Sequence, residues 1–297
     1  IAQNSAWSVI HSSPQLFIAD LHFVNADTGF AVGEAQGTIL RTFNGGNNWD
    51  EFKTSNNSNL RSVFFNNNNG FVVGGSIAGG TSSSGLLLKT TDYGDTWEEL
   101  YNFSHYSLEK VYLYDDQTGF ILGTNGTIIK TINGGITWDS VHSGITNHLY
   151  DIFFINDSVG WLCGDWSLYK TTNGGINWIK IQEFAPYEIY FVDENRGWVF
   201  TMGNVFSGHI SNTTDGGLNW TLQLLTPFSN NINSFHMINE NKGCAVGAYG
   251  QIWITNNSGE DWIQVESPTD KHLFTVFFVD ESIGFAAGRN GIIIKTN

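Results

Sequence analysis

The chain has 297 residues, 41% of them apolar and 14% charged, with 34 glycines and 4 prolines. Thirteen basic residues against 28 acidic ones give a formal charge of −15, a field that repels nucleic acid and anionic lipid and argues against both as partners. Two cysteines are too few for a disulfide framework, and no apolar run approaches the roughly 18–20 residues of a membrane-spanning helix.

The chain opens on "IAQNSAW", whose small residues fit a mature N-terminus left by signal cleavage, and then a short strand, "AWSVI", around Trp7. From there one unit recurs. It begins with an apolar strand such as "LRSVFF" (60–65). An Asn-, Asp- and Gly-rich turn follows, as in "NADTG" (25–29), and then a short strand ending in Gly, as in "FAVG" (30–33). After a loop comes a strand such as "TIIK" (127–130), then an octapeptide, then a last strand opening on Trp. The octapeptides are "TFNGGNNW" (42–49), "TTDYGDTW" (90–97), "TINGGITW" (131–138), "TTNGGINW" (171–178), "TTDGGLNW" (213–220) and "TNNSGEDW" (255–262). Four short strands rich in β-branched and aromatic residues, joined by tight turns and without sustained helical periodicity, predict antiparallel blades.

The closing tryptophans, Trp49, Trp97, Trp138, Trp178, Trp220 and Trp262, are 48, 41, 40, 42 and 42 residues apart. Such a period marks β-propeller blades. The C-terminus stops after Thr296, where another octapeptide would begin, and Trp7 lies 42 residues before Trp49. The N-terminal strand is therefore expected to complete the last blade. The prediction is an all-β, seven-bladed propeller of four-stranded blades, one domain over residues 1–297, with no long exposed edge. Blades 2 and 5 carry insertions at 75–85 and 201–209 between their second and third strands.

The octapeptides resemble the Asp-box of bacterial neuraminidase repeat propellers: "TTDYGDTW" and "TTDGGLNW" match Ser/Thr-x-Asp-x-Gly-x-x-Trp fully, and the others place Asn at the Asp position. The period, the "GFAVG"-type second strand and the seven-fold count are similar to photosystem II assembly-factor-type propellers and their secreted bacterial relatives. That resemblance implies a non-enzymatic role in holding a membrane-protein subunit during maturation. Those relatives are described as using a basic patch, whereas this chain is acidic, so a secreted or periplasmic scaffold or adhesin fits the composition better.

Chemically, the octapeptide reads as a structural clip. Its Thr hydroxyl and Asx side chain can bond nearby backbone, Gly supplies the turn, and Trp packs between blades with its N–H available to a backbone acceptor. Arg41, Lys89, Lys130, Lys170 and Lys295 each precede the Thr at the clip position and read as part of the repeat. Only four arginines are present, and two of them, Arg41 and Arg196, fall on the clip face or in the repeat. The three converging arginines of a sialidase are therefore not expected. The histidines form no pair at ligand spacing, so no metal and no cofactor is expected, and Cys163 and Cys244, in non-neighbouring blades, read as free buried thiols.

Aligning the first strands gives one polar position in every blade: Asp20, Ser62, Lys110, Asp151, Glu188, Ser234 and Thr275. The next position is apolar throughout, an alternation suited to a strand between a wet channel and a dry core. Asp151 and Glu188, in adjacent blades, are the alternative catalytic pair of a glycoside hydrolase; the competing reading is a water-filled channel. For binding, the face opposite the clips is expected to gather Glu34, Gln36, the 75–85 insertion, Asn125, Asp165, Trp166, residues 202–206, Tyr249, Arg289 and Asn290. Tyr150 and Tyr187 stand just before the polar ring. We take Trp166, Asp165, Tyr150, Tyr187, Tyr249, Arg289 and Asp20 as binding candidates for a protein or glycan partner of a monomer. Trp166 stands out, because other blades are read as placing Gly, Ala or Asn in its loop.

Overall fold

The computed structural model describes residues 7–34, 37–54, 58–77, 83–104, 106–202, 208–226 and 231–296. Within them the strands form seven four-stranded antiparallel sheets, each from consecutive strands except the last. Blade 7 takes three strands from the C-terminus and its outer strand, Trp7–His11, from the N-terminus. Trp7 pairs with Thr296, Ser8 with Lys295 and Val9 with Ile294, so the ring closes through hydrogen bonds between the two chain ends. The inner strands are Phe17–Phe23, Asn59–Asn66, Leu108–Leu113, Leu149–Phe154, Pro186–Phe191, Ile232–Met237 and Leu273–Phe278, and neighbouring ones touch around the whole circle.

Short-range chemistry explains the turns. In blade 1 the Asn25 carboxamide oxygen accepts the N–H groups of Asp27 and Thr28, both at 2.9 Å. Asp193 and Asp280 do the same in blades 5 and 7. These are Asx turns, which is why Asn and Asp crowd the first turn of each unit. In all six octapeptides the Thr hydroxyl donates to the Asx oxygen and accepts the N–H four residues on. In "TTNGGINW" the bonds are Thr171 Oγ1 to Asn173 Oδ1 at 3.0 Å and Gly175 N–H to Thr171 Oγ1 at 3.0 Å, and Asn177 N–H reaches Asn173 Oδ1 at 3.0 Å. The Thr hydroxyl and the Asx oxygen of the repeat are thus spent within the turn itself.

One expectation about the tryptophans does not hold. The Nε1 atoms of Trp49, Trp138, Trp178 and Trp262 are buried without a hydrogen-bond partner, whereas Trp220 reaches a backbone oxygen, that of Gly217 at 3.0 Å. The rings instead meet phenylalanines edge-on: Trp49 on Phe23 (6.1 Å between centroids, 88°), Trp97 on Phe65 (5.9 Å, 89°) and Trp178 on Phe154 (5.9 Å, 78°). Each such pair contributes about 0.5–1.5 kcal/mol beyond its buried area, which offsets part of the about 1–3 kcal/mol that an unpartnered buried N–H costs. Trp also lies one residue ahead of the outer strands, which begin at Asp50, Glu98, Asp139, Ile179, Thr221 and Ile263.

Blades join through repeated contacts. The aromatic opening a second strand stacks on the end of the next inner strand, as in Phe30 on Phe65 (3.5 Å), Trp161 on Phe191 (3.7 Å) and Phe285 on Phe23 (3.6 Å). Phe30, Trp161 and Phe285 are wholly buried, each worth roughly 1.5–3 kcal/mol by area. The cations before the clip Thr reach across to the next blade: Lys89 to Gly135 O (3.1 Å), Lys130 to Gly174 O (2.8 Å), and Lys295 in blade 7 to Gly45 O in blade 1 (3.1 Å). Their repetition is structural, as expected.

The two faces also separate as predicted. Clips bond the first turns of their own blade, for example Gly45 N–H to Asp27 O (2.9 Å) and Gly216 N–H to Asn195 O (2.7 Å). On the opposite face the second-to-third-strand turns bond the segments joining blades, for example Asp165 N–H to His148 O (2.8 Å) and Arg289 N–H to His272 O (2.8 Å).

Candidate functional site at the channel mouth

Every inner strand slips register by one residue just before its polar position. The bulge admits an extra residue, namely Ala19, Arg61, Glu109, Tyr150, Tyr187, Asn233 or Phe274. A close approach makes room for it. A Cβ on Gly33, Gly123, Gly164 or Gly288 would come within 2.2 Å of the backbone oxygen of the residue entering the inner strand. Hence the invariant-looking Gly at the end of "FAVG"; only blade 5 places a larger residue, Thr201, opposite Pro186.

The bulges create a channel of three tiers. The bulge residues line the mouth, a cavity of about 510 Å³. The polar ring lies below it, and Asp20, Lys110, Asp151, Glu188 and Thr275 border both the mouth and a second chamber of about 220 Å³. The third tier is aromatic in all seven blades: His22, Phe64, Tyr112, Phe153, Tyr190, His236 and Phe277. Neighbouring rings approach closely, with His22 4.8 Å from Phe64 and 5.0 Å from Phe277, and Phe153 4.9 Å from Tyr190. This ring was readable two residues after each polar position, but a lone Phe or Tyr there reads as core, and only the seven-fold coincidence distinguishes it.

The carboxylates of the polar ring have a shared task. Asp20 Oδ2 accepts Val63 N–H (3.1 Å) and Ser62 Oγ–H (2.9 Å) from blade 2. Asp151 Oδ2 accepts Ile189 N–H (3.0 Å), and Glu188 Oε2 accepts Phe235 N–H (2.8 Å). Each acid therefore ties its own blade to the inner strand of the next. Lys110 lies 3.4 Å from Asp151 Oδ1. Burial pulls the Lys110 ammonium down, but Asp151, Asp20 and Glu188 together outweigh it and hold the charge firmly in place. Burial, reinforced by Asp151, pushes the Glu188 carboxyl up to about 8, and burial also raises Asp20.

Above this floor the mouth is mixed in character. Arg61 pairs with Glu34, and its Nε lies 3.8 Å from Glu109 Oε2. Glu109 accepts Ser107 Oγ–H at 3.0 Å and faces His148 at 3.5 Å. Burial alone would raise the Glu109 carboxyl, but His148 and Arg61 hold it below its usual range. Tyr150 packs at a tilt between His148 (4.8 Å, 32°) and Tyr187 (4.7 Å, 33°) and gives its hydroxyl to Asp165. Phe17, 37% exposed, forms the rim under the Arg289 guanidinium, 5.8 Å from its ring.

The candidate residues therefore divide. Asp20, Asp151, Glu188, Tyr150 and Tyr187 line the mouth, Asp165 is tied to it through Tyr150, and Arg289 covers its rim. Trp166 and Tyr249 do not share it. Trp166 borders a separate pocket with Asn147, Tyr169, Lys180 and Glu183, and Tyr249 borders a groove at blades 6 and 7. Trp166 is also less singular than its loop suggests. It and Tyr249 occupy the same left-handed turn position (φ 58° and 54°) that Asn125 and Asn290 fill in blades 3 and 7. Gln36, residues 78–82 and residues 203–206 lie outside the described residues. No cluster of metal-ligating side chains occurs among the described residues, and both cysteines are buried and free.

Residues 1–105 match the family model described as Photosynthesis system II assembly factor YCF48. The chain is similar to YCF48 in fold along nearly its whole length. A YCF48 structure bound to D1 peptide superposes with a TM-score of 0.76 at 18% identity, covering 98% of this chain and 96% of that one. YCF48 from Cyanidioschyzon merolae gives 0.74 at 16%, covering 98% of both. The GH74 enzyme of Niastella koreensis gives 0.77 at 16%, covering 97% of this chain and 53% of that one. At such identities these likenesses establish the propeller fold. No curated protein matches the chain in sequence.

Proposed function

We propose that this chain is a non-enzymatic, monomeric propeller that seats a segment of a partner protein in the channel mouth. The observation that carries the reading is the mouth itself: an open cavity of about 510 Å³ lined by the adjoining Tyr150 and Tyr187 rings and by the Glu34–Arg61–Glu109 network, over a floor of inter-blade ties. Aromatic faces beside fixed charges of both signs suit a polypeptide's mixed side chains. The similarity to a YCF48 structure bound to D1 peptide supports a protein partner. An extracytoplasmic location belongs to the same proposal and rests on the acidic, Asn- and Ser-rich composition. Photo-crosslinking from position 17, with the partner read by mass spectrometry from a native extract, tests the site. Arg61→Ala should lower capture at least tenfold with little change in melting temperature, and undiminished capture would remove the mouth from the proposal.

A second reading has one observation in its favour. Glu188, with its carboxyl raised to about 8 beside Asp151, resembles the acid of a glycosidase pair. Both acids, however, already hold N–H groups of neighbouring blades. Hydrolysis of a broad glycan panel that vanishes in Asp151→Asn or Glu188→Gln would establish this reading; no hydrolysis retires it.

A further inference from the structure

Tyr249 stands over a groove of about 870 Å³, away from the channel, whose walls come from the segment joining blades 6 and 7 and from the N-terminal strand that closes the ring. Three features of the Tyr249 groove call for an explanation that stability does not supply. First, the Tyr249 side chain is 58% exposed, yet its backbone is left-handed at φ 54°. For a bulky residue that conformation costs roughly 1–2 kcal/mol, and an exposed ring returns little of it through burial. Asn125 and Asn290 meet the same turn geometry with a side chain that tolerates it. Second, the ring is held rather than loose: His272 packs against it with centroids 4.8 Å apart. Third, the side-chain oxygen of Gln251, two residues on and lining the same groove, is buried without a hydrogen-bond partner. Such an atom costs about 1–3 kcal/mol unless a donor reaches it. Tyr93 shares the left-handed backbone but lines neither this groove nor the channel mouth.

The chemistry of the walls selects the ligand. The groove carries Gln251, Gln264, Ser267 and Thr269; of its charged residues, Lys271 and Asp270 are already closed on each other at 2.6 Å, and the exposed Glu266 adds a carboxylate to the wall. Amide and hydroxyl groups and the Glu266 carboxylate, all able to bond hydroxyls, beside a buttressed aromatic ring match the hydroxyls and C–H faces of a sugar, and the carboxylate disfavours an anionic ligand. We propose that this groove is a binding site for a neutral oligosaccharide, with Tyr249 as its stacking platform and Gln251 as an acceptor for a sugar hydroxyl. The proposal is independent of what the channel mouth binds.

The test uses the whole chain with cello-, xylo-, manno- and chito-hexaose as probes, read by saturation-transfer NMR and calorimetry. At least one should bind. Tyr249→Asn, which copies the turn of blades 3 and 7, should lower its affinity at least tenfold while leaving the melting temperature unchanged or higher. Gln251→Met should weaken binding several-fold, again without loss of stability. That combination separates a ligand contact from a structural one, since a structural role would lower the melting temperature in both variants. Absence of binding to all four sugars, binding that survives in both variants, or competition only by an uncharged unstructured peptide would overturn the proposal.

Discussion

At the scale of single residues, the clip threonine shows how much one hydroxyl can hold. Thr171 is 1% exposed, and its Oγ1 both donates to Asn173 and accepts the buried N–H of Gly175. Thr171→Val keeps the shape and removes both bonds, stranding that N–H. We expect a loss of roughly 1–3 kcal/mol in urea unfolding, with Thr171→Ser recovering most of it. An unchanged midpoint would show that the turn is held by its glycines alone. The same scale explains the polar ring. Asp20, Asp151 and Glu188 are one kind of residue in one position, and each accepts the N–H of the residue following the polar position in the next blade. Sequence alone presented two of them as a possible catalytic pair, because a pattern of acids does not show which backbone atoms they face.

At the scale of elements, the outer strand of blade 7 is the one piece supplied from the far end of the chain. Trp7 is 6% exposed and meets Phe278 edge-on at 6.0 Å. Its strand covers the edge of Ile293–Thr296. Deleting residues 1–12 would expose that edge and a cavity where Trp7 packs. The expected result is a fall in melting temperature of more than about 10 °C, or aggregation through the bare edge, in calorimetry and light scattering. A truncated chain that melts like the full one would mean that the three remaining strands suffice. The inner strands carry the second lesson at this scale. Their alternation was legible residue by residue, but the bulge was not. One extra residue per strand changes which side chains meet the channel, and pairing between strands decides it.

At the scale of the whole molecule, the channel axis concentrates groups whose protonation is coupled to folding. Glu188 faces Asp151, Lys110 and Asp20 around the ring, and its carboxyl lies at about 8 instead of 4.5. A group that binds its proton more tightly in the fold adds stability below its unfolded pKa and loses it as pH rises through the folded value. His22 and His236, drawn down to about 4 by burial, act oppositely: their contribution is present above pH 6.5 and is lost as pH falls toward 4. The two slopes overlap below pH 6.5, so Glu188 is isolated above it. Between pH 6.5 and 8 the wild-type chain should lose roughly 1–2 kcal/mol, at about 1.36 kcal/mol per unit of pKa. Glu188→Gln, which still offers an acceptor to Phe235 N–H, should be flat over that range in denaturant titrations. Parallel slopes for the two proteins would contradict this account.

Repeat spacing carried the architecture without help from coordinates. Seven units, the split blade and the identity of the two faces follow from a period near 42 residues and from turn chemistry that is local in the chain. Local interactions repeat wherever the residues repeat, so they can be read in one dimension. The placement of Tyr249 and Trp166 in pockets of their own, apart from Tyr150 and Tyr187, could not be read that way. Nor could the tier of seven aromatics or the use of Asp151 and Glu188 as ties between blades. Each depends on which residues of different blades end up facing one another. That is set by strand register and by the angle at which blades pack, and neither leaves a mark at a single position in the chain.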